Sequence, residues 1–307
     1  MRVLSRMLLA MCLLLAVGPG QALAMDADPS ALEPLESVLI MPVDGIIVID
    51  PQGQVAEFHM DKPMVPKHTS AVEQVHALLD RAVRQWRFEP VLIDGTPRRV
   101  STKMRVVLAA HKVSDGYQIK IDNVVFPGEA NPQMVRAEEI QPQITGKKLR
   151  PPLYPGGPLT DGVTGKVLLY LQVSADGRVE QVIAAQTLIY DASRSQSAWR
   201  KAIHAFERAA VSVAKDWTFN VPDGYAHLPA AYRTVAVPVQ YSVRSQPDVD
   251  ATGMWYPVVR VALRKPEWLQ VTPNAQHIGV ADVGEGEIIP ANSSVKLITN
   301  VVGTMAM

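Results

Sequence analysis

The stretch KVLLYLQVSADGRV, Lys166 to Val179, decides how this chain is read. Val167, Leu169, Leu171 and Val173 alternate with other residues, and side chains two apart leave a strand on the same side, so these four share one apolar face. Ser174, Ala175, Asp176 and Gly177 then predict a turn, because Asp bonds locally to the backbone and Gly accepts a positive φ. Beyond a second strand, Trp199, Ala202, Ile203, Phe206, Ala209, Ala210, Val213 and Trp217 recur at spacings of three and four. That is the stripe of a helix that must lie on a sheet. A closing strand puts Val235, Val237, Val239, Tyr241 and Val243 on one face. The segment from Pro151 to Val243 therefore reads strand, strand, helix, strand.

The same order occurs upstream. Val43 to Asp50 reads as a strand, Asp50 to Gly53 as a turn and Gln54 to Met60 as a returning strand. Pro63 and Pro66 break the pattern, and Ser70 with Glu73 has capping-box spacing at a helix start. Val72, Val75, Leu78, Leu79, Ala82, Val83 and Trp86 form the stripe behind it. A last strand carries Val100, Thr102, Met104, Val106 and Leu108. Setting Gly53 on Gly177 and Val55 on Val179 brings Val43, Gly45, Ile47 and Ile49 onto Val167, Leu169, Leu171 and Val173. Trp86 and Phe88 then answer Trp217 and Phe219 after seven inserted residues in the second copy, so the chain contains an internal repeat.

Tyr154, Pro155, Gly162, Gly165 and Val167 follow the spacing of the TonB C-terminal domain family, which the second copy resembles. Pro158 stands where that family has Ala, and the family's Ser-Ser-Gly before the helix gives way to the longer stretch from Leu188 to Ser197. The first copy carries the other half of the pattern in Trp86, Phe88 and Pro90, with Asp94 and Gly95 after them. The resemblance implies an α+β fold: two tandem small antiparallel sheets, each covered by a helix (β-β-α-β), followed by a β-rich C-terminal tail. It also implies a Gram-negative periplasmic protein whose strand edge receives an extended peptide from an outer-membrane transporter. Backbone hydrogen bonds give such β-augmentation its affinity.

Domains are expected at 37–126 and 151–243, separated by a linker at 127–150 that is rich in proline, glycine and charge. The linker is too short for the long spacer that the family's energy coupling uses. Residues 244–307 are expected to form a β-rich extension packed on the second copy, with short strands at Tyr256–Leu263, Trp268–Val271, Gly279–Val283 and Val295–Val302. Tyr117 to Val125 reads as an added strand. Residues 1–24 read as a signal peptide: Arg2 and Arg6 precede eleven apolar residues, Met7 to Val17, with cleavage expected after Ala24. Eleven is short of the roughly 20 that a bilayer core requires. Cleavage removes Cys12, the only cysteine, and leaves 28 basic against 30 acidic residues. No charge excess then points to nucleic acid or an anionic membrane.

No nucleophile elbow, phosphate loop or dinucleotide turn is present. His59, His68 and His76 near Asp61 and Glu73 lack metal-ligand spacing, and His204 sits in a helical stripe. The pairs Glu138/Glu139 and Glu285/Glu287 read as solvated charge, and Gly284 to Gly286 as a turn. No catalytic residue, cofactor or metal is expected. The expected activity is binding of an envelope protein or peptide, with a homodimer as one form, and the expected site is the strand edge Val235, Val237, Pro238, Val239 and Tyr241. Pro238 lacks an amide hydrogen, so it serves equally as an edge guard; Lys103 and Arg105 are placed to guard the first copy's last strand, or that edge is consumed by the strand from Tyr117 to Val125. The alternatives are a wall-associated structural protein, a duplication whose edges pair only with each other, and an enzyme with an unfamiliar site.

Overall fold

The computed structural model describes residues 34–61, 70–127, 131–132, 143–190, 194–242, 251–271 and 274–304. The leader and its cleavage point after Ala24, His68, the Glu138/Glu139 pair and Val243 lie outside those residues. The first half runs through β1 (Leu35–Ile49), β2 (Val55–Met60), α1 (Ser70–Val83), the short pair β3 (Leu92–Ile93) and β4 (Thr96–Pro97), β5 (Val100–Val113) and β6 (Gly116–Val125). Next come β7 (Asn131–Pro132), β8 (Thr145–Lys148) and the single turn α2 (Gly156–Thr160). The second half is β9 (Gly165–Val173), β10 (Val179–Ile189), α3 (Gln196–Ala214), β11 (Thr218–Asn220), α4 (Asp223–Ala226) and β12 (Thr234–Tyr241). The tail adds β13 (Tyr256–Val261), α5 (Glu267–Gln270) and β14 (Ile289–Pro290).

Both hairpins close on a glycine for the same two reasons. Gly53 and Gly177 have φ of 77° and 84°, in the left-handed region that side chains resist. A Cβ on either would also stand 2.0 Å or 2.1 Å from the carbonyl oxygen of Phe88 or Phe219. The contact is a ladder: Phe88 N donates to Gly53 O at 2.8 Å, and Phe219 N donates to Gly177 O at 2.8 Å. Each turn thus grips the segment that leaves its own helix. Asp50 Oδ1 accepts from the amides of Gln52 and Gln54, and Ser174 Oγ from that of Arg178, which supplies the local bonding that turn residues favour.

The two halves do not form separate sheets. Ten strands join one antiparallel sheet whose main path is β14-β12-β9-β10-β13-β1-β5-β6, with β2 paired to β1 and β7 to β5. The expectation of an α+β fold, two small sheets each with its own helix, is therefore corrected to a mostly β fold built on one large sheet. The cause is β1, which is 15 residues long. Its second part, Gly45 to Ile49, pairs with β2, but its first part, Leu35 to Ile40, pairs with β13. The other side of β13 pairs with Leu188 and Ile189 at the end of β10, so one tail strand bridges the halves. Two small two-stranded sheets, β8 with β11 and β3 with β4, stand apart from it.

Alternation along the strands gives this sheet two apolar faces and hence two covering layers. On one, α3 lays Ala202, Ile203, Phe206, Ala210 and Ala214 on Val167, Leu169, Leu171, Val235 and Val237. There α1 does the same for the first half, with Val75, Leu79 and Val83 against Ile47, Ile49, Met104 and Val106. A further core joins Leu168, Tyr170, Ala185, Val107 and Ala109 to the tail residues Leu269, Ile278, Val280, Val283 and Ala291. The tail therefore packs on both halves, and Val295 and Val301 extend it over the first. Its expected strands are only partly present. Pro266, pre-set for a helix start, opens α5 where Trp268 to Val271 reads as a strand, and Val280–Asp282 is a 3-10 turn. Among the described residues, Val295 to Val302 contributes one bridge, Phe88 to Leu297, in place of a strand.

Candidate functional site

The residues of the family pattern build the core. Tyr154 donates its hydroxyl to Val163 O and meets Phe206 and Tyr241 edge-on at 5.7 Å and 5.5 Å. Phe206 and Tyr241 stack at 4.2 Å, and Tyr241 Oη donates to Phe206 O at 3.0 Å. Burial pushes both tyrosines above their ordinary pKa, so these hydroxyls stay neutral donors. Pro155 caps α2, Gly162 follows it at φ 63°, and a Cβ on Gly165 would collide with Leu188 O at 2.6 Å. Trp86, Phe88, Trp217 and Phe219 are buried, Pro90 is exposed, and Asp94 with Gly95 makes the two-residue turn between β3 and β4 at φ 50° and 73°.

The rims of the sheet are where the backbone has unmet capacity. At the β12 end, Val235, Val237, Val239 and Tyr241 are buried and pair with β9, and Pro238 faces Leu168. Thr234 O accepts from Ala291 N at 2.8 Å, so the peptide groups of Thr234 and of residues two apart from it point away from β9. That places the hydrogen-free nitrogen of Pro238 on the outer side. β14 covers the start of this rim at Val235 and Ala236, and Pro238 stands just beyond. An incoming strand would find a rim already partly occupied and short of a donor.

The opposite rim is different. β5 is not the end of the sheet, because β6 pairs with it from Arg105 to Val113. Arg105 is accordingly no edge guard: it is buried, with Nε 2.6 Å and Nη2 3.0 Å from the two Asp44 oxygens. On β6, Ile121 N donates to Thr304 O at 3.0 Å and Ile121 O accepts from Gly303 N at 2.8 Å, both away from β5. Tyr117 and Ile119, two and four residues before it, must turn their N–H and C=O groups the same way. Among the described residues nothing bonds to those groups. Tyr117 is 56% exposed. Lys112 is exposed beside it, and Lys120 half-buried.

The histidines do not converge: no group of three or more His, Cys, Asp or Glu among the described residues is placed to hold a metal ion. His59 lies on the surface beside Glu57, while His76 and His204 are half-buried on α1 and α3. Glu287 accepts from Gly284 N at 2.7 Å, which fixes the turn there. No helix among the described residues is long and apolar enough to cross a membrane.

One concave site escapes sequence reading altogether. A cleft of about 550 Å³ opens where β1, β6, β10, β13 and the tail turn meet. Arg260 reaches across it, donating to both Asp122 oxygens at 2.6 Å and 2.7 Å and to Glu36 at 2.7 Å. Burial opposes the guanidinium charge, but its hydrogen bonds and proximity to Asp122 and Glu36 outweigh that and hold its pKa above the ordinary value. Asp282 is fully buried in the wall. Its Oδ2 accepts from Gly279 N and Asn123 Nδ2, each at 2.5 Å, while its Oδ1 has no partner among the described residues. Burial is the main cause that lifts this carboxyl from 3.8 to about 7. Asp122 and Arg260 are 138 residues apart, which explains why no local pattern pointed here.

No protein-family model, curated protein or solved structure matches the chain.

Proposed function

We propose that this is a non-enzymatic binding protein of the Gram-negative cell envelope that takes an extended segment of another envelope protein onto β6 as an added strand. The observation that carries the reading is the outward pair of unbonded peptide units at Tyr117 and Ile119, beside a rim to whose backbone the tail bonds, among the described residues, only at Ile121. Backbone groups at a sheet edge supply affinity, and neighbouring side chains choose the partner. Here Tyr117 offers an aromatic contact, and Lys112 and Lys120 favour an acidic segment. The resemblance to the TonB C-terminal domain supports the same mode of binding. It also supports the periplasm as the place of action and a transporter peptide as one candidate partner. Strand addition moves from β12, its expected place, to β6, because β14 and Pro238 obstruct the former.

The test exploits the geometry of proline. Ile119 directs its N–H outward, so Ile119→Pro removes a rim donor without removing a bond to β5, whereas Lys120→Pro removes a ladder bond. A photo-cross-linking residue at position 117 should capture an envelope protein in intact cells, and Ile119→Pro should abolish capture with melting temperature nearly unchanged. Capture that survives Ile119→Pro, or that occurs equally from position 240 on β12, contradicts the reading.

A further inference from the structure

The cleft bounded by Arg260 and the tail turn meets β6 at Asp122 and Asn123, past the outward peptide groups of Tyr117 and Ile119, and its lining charges do not cancel locally. Glu36 and Asp122 share one guanidinium, that of Arg260, which leaves a negative charge in excess. The second Glu36 oxygen lies 3.5 Å from His111 Nδ1. Lys265 also lines the cleft; its Nζ stands 3.4 Å from His277 Nε2 and meets no carboxylate among the described residues. Burial, followed by the charge of Lys265, lowers the His277 pKa, so the imidazole stays neutral and leaves the ammonium uncompensated. A volume of about 550 Å³ is in the range of small-molecule sites, which run from about 300 to 1,000 Å³.

A second observation points the same way. Asp282, 1% exposed, keeps one carboxyl oxygen without a partner, although buried polar atoms are nearly always bonded. The lining thus holds an excess carboxylate and an ammonium that meets no carboxylate, with an unpartnered acceptor buried just beneath it. We propose that the cleft binds a small zwitterion of the amino-acid type, of about dipeptide size, with its ammonium toward Glu36 and Asp122 and its carboxylate toward Lys265. No bond is made or broken in this site; its role is recognition.

Calorimetric titration of the purified protein at pH 7.5 tests this with three probes: alanyl-alanine, its N-acetyl derivative and its C-terminal amide. Saturable binding is expected for the free dipeptide, with each blocked form weaker by about tenfold or more. Lys265 is exposed, so Lys265→Ala should leave the fold intact, as checked by circular dichroism. That variant should weaken the free dipeptide by about tenfold and leave the amide unchanged, because the amide has no carboxylate to lose. Glu36→Gln, a conservative change, should weaken the free dipeptide and leave the N-acetyl form unchanged. Absence of saturation up to about 10 mM, equal binding of free and blocked forms, or indifference to Lys265→Ala overturns the proposal.

Discussion

In the second half, β9 is buried along its whole length, Lys166 included, whereas its counterpart β1 in the first half leaves Ile46 45% exposed. The two hairpins have matching glycine turns, matching aromatic contacts and matching strand order, β2-β1-β5 and β10-β9-β12. What differs is the third layer. The tail covers the outer face of β9 and β12, and Lys166 Nζ donates to Val283 O within it. Over the first half it packs on Val107 and Ala109 and takes the Asn123 side chain, but among the described residues its backbone bonds to that of β6 only at Ile121. A module repeated in one chain thus has its rims shaped by segments outside the repeat: β14 covers the start of one, while Tyr117 and Ile119 keep outward peptide groups on the other.

The largest test removes that segment. A chain ending at residue 243 would expose Leu168, Tyr170, Val107 and Ala109 and lose the strand that joins the halves. It should show no cooperative thermal transition by circular dichroism; two independent transitions would break the comparison by making each half a domain of its own. Core truncations come next. Phe206→Ala under α3 should cost about 3 to 5 kcal/mol and Leu79→Ala under α1 about 2 to 5 kcal/mol, read from chemical denaturation. A smaller loss at Phe206 than at Leu79 would contradict the picture of the second half as the better-packed one.

Smaller effects sharpen the likeness of the halves. Gly53→Ala and Gly177→Ala should each cost at least about 1 to 3 kcal/mol from backbone strain alone, and by nearly the same amount, since both meet a phenylalanine carbonyl. A large inequality would mean that the two turns are not equivalent. A separate effect is a pH dependence centred on Asp282, which the tail holds against Asn123 of β6. Asp282 has an ordinary pKa of 3.8 and one of about 7 when folded. Between those values the folded state holds the extra proton, so stability should decline as pH rises from about 4 to 7 and level off above. Asp282→Asn should flatten that slope in melting curves; an unchanged slope would show that other groups cause it.

Much of each half was legible in the sequence because it rests on periodicities that short windows reveal. The alternation of Val167 to Val173, the stripe from Trp199 to Val213 and the turns at Gly53 and Gly177 all describe elements that formed, while Trp217, read as the end of that stripe, lies beyond α3. The joining of the halves was not legible. Strand β1 extends back through Pro42 to Leu35, a stretch whose proline interrupts the pattern, and its partner β13 lies more than 200 residues away. The tail covers a sheet face with irregular backbone, so its apolar residues carry no period; Pro266 turned one apparent strand into a helix start. What borders each rim was not legible either. Which strand ends a sheet depends on what the rest of the chain adds, and β14 and β6 were both added from outside the repeat. The cleft gathers Glu36, Asp122, Arg260 and Asp282 from four separate elements, so only the folded chain assembles it.

Native-state hydrogen exchange measures the sealed and open parts of the sheet together. The account predicts that the hydrogen-bonded amides of β13 exchange as slowly as those of β9, through global unfolding, while the Tyr117 and Ile119 amides exchange rapidly. Rapid exchange throughout β13, or protection of Tyr117 and Ile119 in the free protein, would contradict it.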